Sequence, residues 1–164
     1  MGRSSYKLAS PDLGILAARL MFGLQAELFR RAAHEGFDDV RPRHGAVLAY
    51  LDENGIRQGD LAQLTRRNKQ TIAAILDELE SLGYLYRAAD PTDRRAKLIM
   101  PTERGRQLML VSDQIVADIE ERHAGDLGRA AYNDFLHALR IITNSYLAND
   151  HQPLHTGDRG AIER

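Results

Sequence analysis

The order of short periodic segments between residues 44 and 101 is the feature that most constrains the fold. Three of these segments carry apolar residues at helical spacing, and they run from His44 to Glu53, from Gln58 to Thr65 and from Asn68 to Leu82. Two runs typical of strands follow, Tyr84 to Arg87 and Lys97 to Met100, joined by a loop with the turn-forming sequence Asp-Pro-Thr-Asp. The sequence therefore predicts three short helices and then a projecting β-hairpin.

Longer amphipathic stretches lie on both sides of this segment. Leucines recur every three or four positions from Asp12 to about Ala33, and Gly36 suits the end of that helix. After the hairpin, Thr102 suits the cap of a helix that Gly125 and Gly128 break, and a last helix follows from Ala131 to Leu147. Helices this long leave apolar surface without an internal partner, which favours a dimer interface.

Composition narrows the class of protein. The chain has 164 residues, of which 43% are hydrophobic and 27% charged, as expected of one folded domain. It has no apolar run of the roughly 18 residues that a spanning helix needs, and its start lacks a signal-type stretch, so we expect a cytoplasmic protein. The absence of cysteine excludes disulfides, Cys-ligated zinc and thiol-based sensing.

Helix, short helix, capped helix and hairpin is the order of a winged helix-turn-helix, so we predict a mainly α fold of that type. The major groove of DNA is about 12 Å wide and admits one α-helix, whose N-terminal residues reach base edges. Here that turn consists of Asn68, Lys69, Gln70 and Thr71, and it follows Arg66 and Arg67. Asn and Gln side chains pair with adenine, and Lys reaches guanine or a phosphate.

Charge is unevenly distributed along the chain, although its net value is only -1. Residues 57–106 contain ten basic and seven acidic side chains, a net charge of +3, which leaves a net charge of -4 on the rest. Because clustering sets the local field at a phosphate backbone, the near-neutral total does not argue against DNA.

The same residues resemble a known family. The resemblance rests on Leu61-Ala62, Thr71-Ile72, Leu79-Glu80, Gly83-Tyr84-Leu85, Arg87, the run from Asp90 to Ala96, and Thr102-Glu103-Arg104-Gly105. Together these residues look like the multiple-antibiotic-resistance regulator (MarR) family. The resemblance implies a homodimeric winged-helix repressor with terminal dimerisation helices and a small-molecule pocket near the junction. It also implies that Arg95, with Asp93, enters or borders the minor groove.

These observations give one leading prediction, a dimeric transcriptional regulator released from a pseudo-palindromic operator by a small organic, often phenolic or aromatic, ligand. Residues 12–147 are predicted to form a single domain, with a DNA-binding lobe at 43–106, dimerisation helices at 12–36 and 107–147, an N-terminal arm at 1–11 and a disordered tail at 149–164. We expect no cofactor and leave the ligand-binding residues open. The predicted DNA-binding residues are Arg66, Arg67, Asn68, Lys69, Gln70, Thr71, Asp93, Arg94, Arg95 and Lys97.

Three other functions were weighed. A winged-helix module that binds an acidic protein is the first alternative. A metal-responsive regulator is the second, although the six histidines are scattered at His34, His44, His123, His137, His151 and His155 and suggest no metal site; His34 and His44 could instead contact an effector. An enzyme is disfavoured, since the sequence has no Gly-rich phosphate loop, no supported nucleophile arrangement and no paired carboxylates, and we predict no catalytic residue.

Overall fold

The computed structural model describes residues 9–93 and 96–149, with side chains described as far as residue 146. Most of the predicted N-terminal arm and C-terminal tail therefore lies outside the described residues. The elements are α1 (Leu13–His34), a 3-10 turn (Pro42–His44), α2 (Gly45–Leu48), β1 (Ile56–Arg57), α3 (Gln58–Leu64), α4 (Lys69–Ser81), β2 (Leu85–Ala89), β3 (Lys97–Pro101), α5 (Glu103–Leu127) and α6 (Arg129–Asn149). The predicted mainly α fold with a winged helix-turn-helix is confirmed.

The ends of α1 and α4 follow from their capping residues. Asp12 accepts a hydrogen bond from the Ile15 amide at 3.0 Å, and Asn68 accepts one from the Thr71 amide at 2.7 Å. Both helices stop at glycines with positive φ, 93° at Gly36 and 78° at Gly83, a conformation that glycine adopts without the steric cost other residues have. The predicted boundaries of these two helices are confirmed to within about one residue.

The helix predicted from His44 to Glu53 is wrong in both position and length. Helical structure begins earlier, at Pro42, whose fixed φ suits the first turn. It ends at Leu48. After it, the Tyr50 and Leu51 amides donate to carbonyls three residues back, at Val47 and Leu48, as in a turn and not an α-helix.

The helix-turn-helix surrounds a dense core. Helix α4 buries one apolar stripe completely, and Leu61 of α3 and Tyr84 after α4 are buried with it. The fully buried side chains of this stripe are Ile72, Leu76 and Leu79. Since the apolar side of α4 faces the core, its polar residues lie on the opposite side and at its N-terminus.

The sheet has three strands, in the order β1-β3-β2, with both pairs antiparallel. The two strands of the hairpin were predicted, but β1 was not, because two residues carry no recognisable period. Pro101 is the last residue of β3 and lies opposite Leu85. The strand β1 reaches only Ile99 and Leu98, so the missing amide of Pro101 breaks no hydrogen bond on that side.

Helix α5 begins in close contact with the base of the wing. The Thr102 hydroxyl accepts from the Gly105 amide at 3.1 Å and donates to the Gly83 carbonyl at 2.6 Å, so Thr102 is the predicted cap. The Thr102 amide also donates to the Tyr84 carbonyl at 3.0 Å. A Cβ atom on Gly105 would lie 2.0 Å from that same carbonyl oxygen, so only glycine fits here.

The chain divides into two compact units, residues up to 117 and residues from 118 onward. In the second unit, Tyr132 is buried and its ring lies 6.5 Å from His123 and 6.3 Å from Phe135. The predicted break at Gly125 is wrong, since the helix continues through it to Leu127, and Gly128 with φ 84° is the break. The last helix starts at Arg129, two residues earlier than predicted. No helix in the described part of the chain is long and apolar enough to cross a membrane.

Candidate DNA-binding surface

The N-terminal turn of α4 presents a polar, exposed surface. Arg66, Arg67, Lys69 and Gln70 are exposed, and Thr71 is half-buried. Asn68 is exposed too, but its side-chain oxygen is occupied by the helix cap described above. Gln70 is therefore the amide in this turn with both its donor and its acceptor available for a base edge.

The turn between α3 and α4 closes by a Schellman motif. The Arg66 amide donates to the Gln63 carbonyl at 3.1 Å, and the Arg67 amide donates to the Ala62 carbonyl at 3.2 Å. This arrangement requires a left-handed residue, and Arg66 supplies it with φ 53°, the one non-glycine residue of the described chain with positive φ. An arginine therefore occupies a position where glycine would have less backbone strain.

Positive charge is more concentrated at this surface than the sequence count indicates. Among the described basic residues between 57 and 106, Arg57, Arg87 and Arg106 form ion pairs with carboxylates inside the lobe, and Arg104 pairs with Asp39, just before it. Exposed Arg66, Arg67 and Lys69 lie at the tip of α4, and exposed Lys97 starts β3. Arg67 and Lys69 at the tip and Lys97 on the wing therefore face solvent. The basic residues farther from the tip are paired with carboxylates.

The loop of the wing is braced by Asp90, where the chain leaves β2. This buried carboxylate accepts from the Thr92 hydroxyl at 2.7 Å, the Thr92 amide at 2.8 Å and the Asp93 amide at 3.2 Å, and from Arg57 of β1 at 2.7 Å. The hydrogen bonds from Thr92, helped by Arg57, lower the pKa of Asp90 to about 2. The local sequence places Asp90 in a turn but gives no sign of its partner Arg57, 33 residues away.

The predicted wing residues are only partly visible. Asp93 is exposed at the end of the braced turn, and Lys97 is exposed at the start of β3. Arg94 and Arg95 lie outside the described residues. The structure thus positions the two ends of the loop that contains them, after the end of β2 and at the start of β3.

Helix α4 is tied to the wing through Arg87. This residue of β2 forms an ion pair with Asp77 at 2.6 Å and a second with Glu80, both on α4, and its amide donates to Glu80 at 3.2 Å. Helix α4, which occupies the recognition-helix position of the winged helix-turn-helix, is consequently fixed relative to the wing by charged side chains as well as by the core.

Tyr84 joins the loop after α1 to the start of α5. Its hydroxyl donates to Asp39 at 2.5 Å, and Arg104 lies on its ring, 4.4 Å from the centroid, while pairing with Asp39 at 2.9 Å. Burial acts to raise the pKa of Asp39, but the hydrogen bond from Tyr84 and the charge of Arg104 outweigh it and lower that pKa. Burial also raises the pKa of Tyr84 far above its usual value.

His44 connects the segment before α2 to the recognition helix. Its ring is 1% exposed; Nδ1 accepts from the Arg41 amide at 3.1 Å, so the neutral ring carries its proton on Nε2, which donates to Glu78 at 2.8 Å. Arg43 pairs with the same carboxylate at 2.8 Å. The hydrogen bond from His44, with the charge of Arg43, lowers the pKa of Glu78. His44 was considered as an effector contact, but it lies between two structural partners.

A cavity of about 320 Å³ lies in the first unit, between α1, α2 and the N-terminal half of α5. Its lining is mainly apolar and includes Phe29, Leu48 and Met109, with Ser112 and Asp113 as its polar residues. Gly45, directly after His44, also lines it. Among residues 9–93 and 96–149 no group of three His, Asp or Glu side chains is arranged to hold a metal ion.

Comparison with known proteins gives matches to one family. A MarR family model matches residues 38–96. The transcriptional regulator HosA of Escherichia coli O111:H- is 27% identical over 115 residues, 70% of this chain and 85% of HosA, and the transcriptional activatory protein BadR of Rhodopseudomonas palustris is 29% identical over 135 residues, 77% of this chain and 76% of BadR.

Solved structures of the repressor CouR also match. CouR bound to a 23-mer DNA duplex is 28% identical, with a TM-score of 0.67, over 84% of this chain and 95% of CouR. CouR from Rhodococcus jostii RHA1 bound to p-coumaroyl-CoA is 28% identical, with a TM-score of 0.66, over 81% and 92% of the two chains. These relatives are transcriptional regulators, not enzymes. Residues 38–96 of the chain thus match the MarR family, and the fold is that of the winged-helix transcriptional regulators it resembles.

Proposed function

We propose that this regulator is a dimeric repressor that binds a pseudo-palindromic operator and leaves it when a small organic ligand occupies the cavity. The observation that carries the DNA-binding part is the exposed N-terminal turn of α4, in which Arg67, Lys69 and Gln70 face solvent while the apolar side of the helix is buried. A helix presented in this way fits the major groove end-on.

Residues of this turn have different proposed roles. Gln70 reads a base edge, because its amide can pair with adenine through both of its groups. Lys69 contacts guanine or a phosphate, and Arg66 and Arg67 contact phosphates beside the groove. Asn68 and Thr71 chiefly hold the end of the helix, since the Asn68 oxygen accepts the Thr71 amide.

The wing supplies a second contact. We propose that Arg95 enters or borders the minor groove, with Asp93 as its partner and with Arg94 and Lys97 beside the backbone. The Asp90 brace supports this assignment, because four hydrogen bonds to one buried carboxylate fix the base of the loop that carries these residues. CouR, with a comparable fold, has been solved on a DNA duplex.

Dimer formation is proposed from exposed apolar side chains on two long helices. On α1, Leu13 is 65% exposed and Phe22 is 63% exposed, and on α6, Ile141 and Tyr146 are each 58% exposed. Large apolar side chains on a helix surface mark an interface more often than a solvated face. In sedimentation equilibrium we expect twice the chain mass of 18.4 kDa; a single-chain mass at micromolar concentration would contradict a dimer.

Ligand binding is proposed for the cavity in the first unit. Its volume of about 320 Å³ lies at the small end of ligand pockets, and its apolar lining includes the ring of Phe29, which suits a phenolic or other aromatic compound. The relative CouR binds p-coumaroyl-CoA. Release is the proposed outcome, since only one spacing of two recognition helices matches successive major grooves.

DNA binding is tested with duplexes from the region upstream of the regulator's own gene, by fluorescence anisotropy across a salt series. We expect tighter binding to specific duplexes than to scrambled ones. We expect Gln70→Ala to relax the preference at particular base pairs, by about 1–3 kcal/mol. Arg95→Ala is expected to weaken binding to all duplexes, and to reduce the slope of log K against log salt by about 1 if it meets a phosphate.

The alternative, a winged-helix module for an acidic protein partner, gives different results in the same experiment. It predicts no preference between specific and scrambled duplexes, and no change in preference for Gln70→Ala. Indifference of DNA binding to zinc and to chelators would remove the metal-responsive alternative.

A further inference from the structure

The charge that the cavity lining carries is negative. Of the thirteen residues that line it, all in the described part of the chain, Asp113 is the charged one and Ser112 the other polar one. Neither arginine, lysine nor histidine is among them. Any ligand with a carboxylate would therefore enter an apolar space that offers it no cation.

Asp113 lies where a bound ring can reach it. Met109, Ser112, Asp113 and Val116 share one face of α5, because residues three and four apart are neighbours on a helix, and all four line the cavity. Asp113 is also exposed, which places this residue at the edge of the cavity, where the lining meets solvent. A ligand whose ring packs against Phe29 and Met109 can thus direct a polar end toward Asp113.

We infer that this cavity selects its ligand by charge, and that it takes one-ring compounds with a hydrogen-bond donor, cationic amines and neutral phenols, in preference to aromatic carboxylates. The inference rests on the proposed ligand-responsive function and names the chemical class of the ligand. A donor gains a charge-assisted hydrogen bond to Asp113. A carboxylate meets a like charge and loses hydration without compensation.

Three compounds with the same 4-hydroxyphenyl ring and a side chain of different charge test this directly. Tyramine is a cation, tyrosol is neutral and 4-hydroxyphenylacetate is an anion. By titration calorimetry on the full chain at low salt, we expect tyramine to bind at least about tenfold more tightly than 4-hydroxyphenylacetate, with tyrosol between them. Raising the salt concentration should narrow the gap, because exposed charges are screened.

Two variants assign the effect to one carboxylate. Asp113→Asn should bring the affinities for tyramine and 4-hydroxyphenylacetate to within about threefold of each other. Glu120→Gln, which removes an exposed charge of the same sign from the same helix but does not line the cavity, should leave the gap unchanged.

Equal or tighter binding of 4-hydroxyphenylacetate would overturn the inference, as would a gap that survives in Asp113→Asn or a failure of all three compounds to bind. Because binding is measured without DNA, these failures are distinct from failure of the proposed DNA-binding function. Loss of specific DNA binding would contradict that function even if tyramine bound as expected.

Discussion

Gly105→Ala is expected to lower the free energy of unfolding by about 3 kcal/mol, the largest loss of stability we predict from a single methyl group. The added Cβ would lie 2.0 Å from the Tyr84 carbonyl oxygen, which is backbone and cannot rotate away. Relief requires α5 to move off the base of the wing, which strains the hydrogen bond from the Thr102 amide to that carbonyl. This cost exceeds the stabilisation of roughly 0.5 to 1 kcal/mol that alanine gives over glycine inside a helix.

Gly125→Ala is the matched control on the same helix. Nothing lies within 4 Å of a Cβ atom at Gly125, so there the helix preference for alanine acts alone. In thermal unfolding we expect Gly105→Ala to lower Tm by about 6 to 12 °C and Gly125→Ala to raise it by about 2 °C. Equal Tm values for the two variants would mean that α5 does not cross the wing base as closely as the Tyr84–Gly105 approach requires.

Local sequence chemistry accounts for most of the element boundaries. Asn68 and Gly83 predict the two ends of α4 because a cap and a left-handed glycine act within a few residues. The turn at Asp90 predicts the hairpin for the same reason. The helix at His44 was predicted too long because the apolar period continues through Leu51, whereas the backbone after Ala49 makes turn hydrogen bonds three residues back instead of four.

Contacts between distant residues are what the sequence did not reveal. Arg57 and Asp90 are 33 positions apart, and His44 and Glu78 are 34 apart, so no local spacing connects them. The charge count of the DNA-binding lobe had the same limit, since it included Arg57 and Arg87 as available cations. Tertiary structure pairs both with carboxylates and leaves the tip of α4 as the basic surface.

The residues that line the cavity could not be predicted from the sequence, because they come from distant parts of the chain. Its lining comes from α1, the segment around α2 and α5, and most of these residues belong to apolar stripes that would equally fill a core. Asp113 has no motif around it. Only the packing of the three segments brings its carboxylate to an apolar space.

His44→Asn is expected to abolish the effect of ligand on DNA affinity. Gly45 and Leu48 line the cavity, and His44, in the preceding turn, donates from Nε2 to Glu78 on the recognition helix. A ligand that displaces this segment would therefore move Glu78 and α4 with it. Asparagine can replace Nδ1 as acceptor for the Arg41 amide but is too short to reach Glu78, so it removes the connection and keeps the local turn.

Two conservative variants make the test specific. His44→Gln keeps a donor that reaches Glu78, and Glu78→Gln keeps an acceptor for His44 without the charge. The readout is the ratio of DNA dissociation constants with and without saturating tyramine, which for coupled sites is typically about 5- to 150-fold. We expect the ratio to fall to within about twofold of one in His44→Asn and to persist in both glutamine variants. A full ratio in His44→Asn would show that coupling runs elsewhere. The Asp39–Tyr84–Arg104 contacts, which join the loop after α1 to the start of α5, would then be the next connection to test.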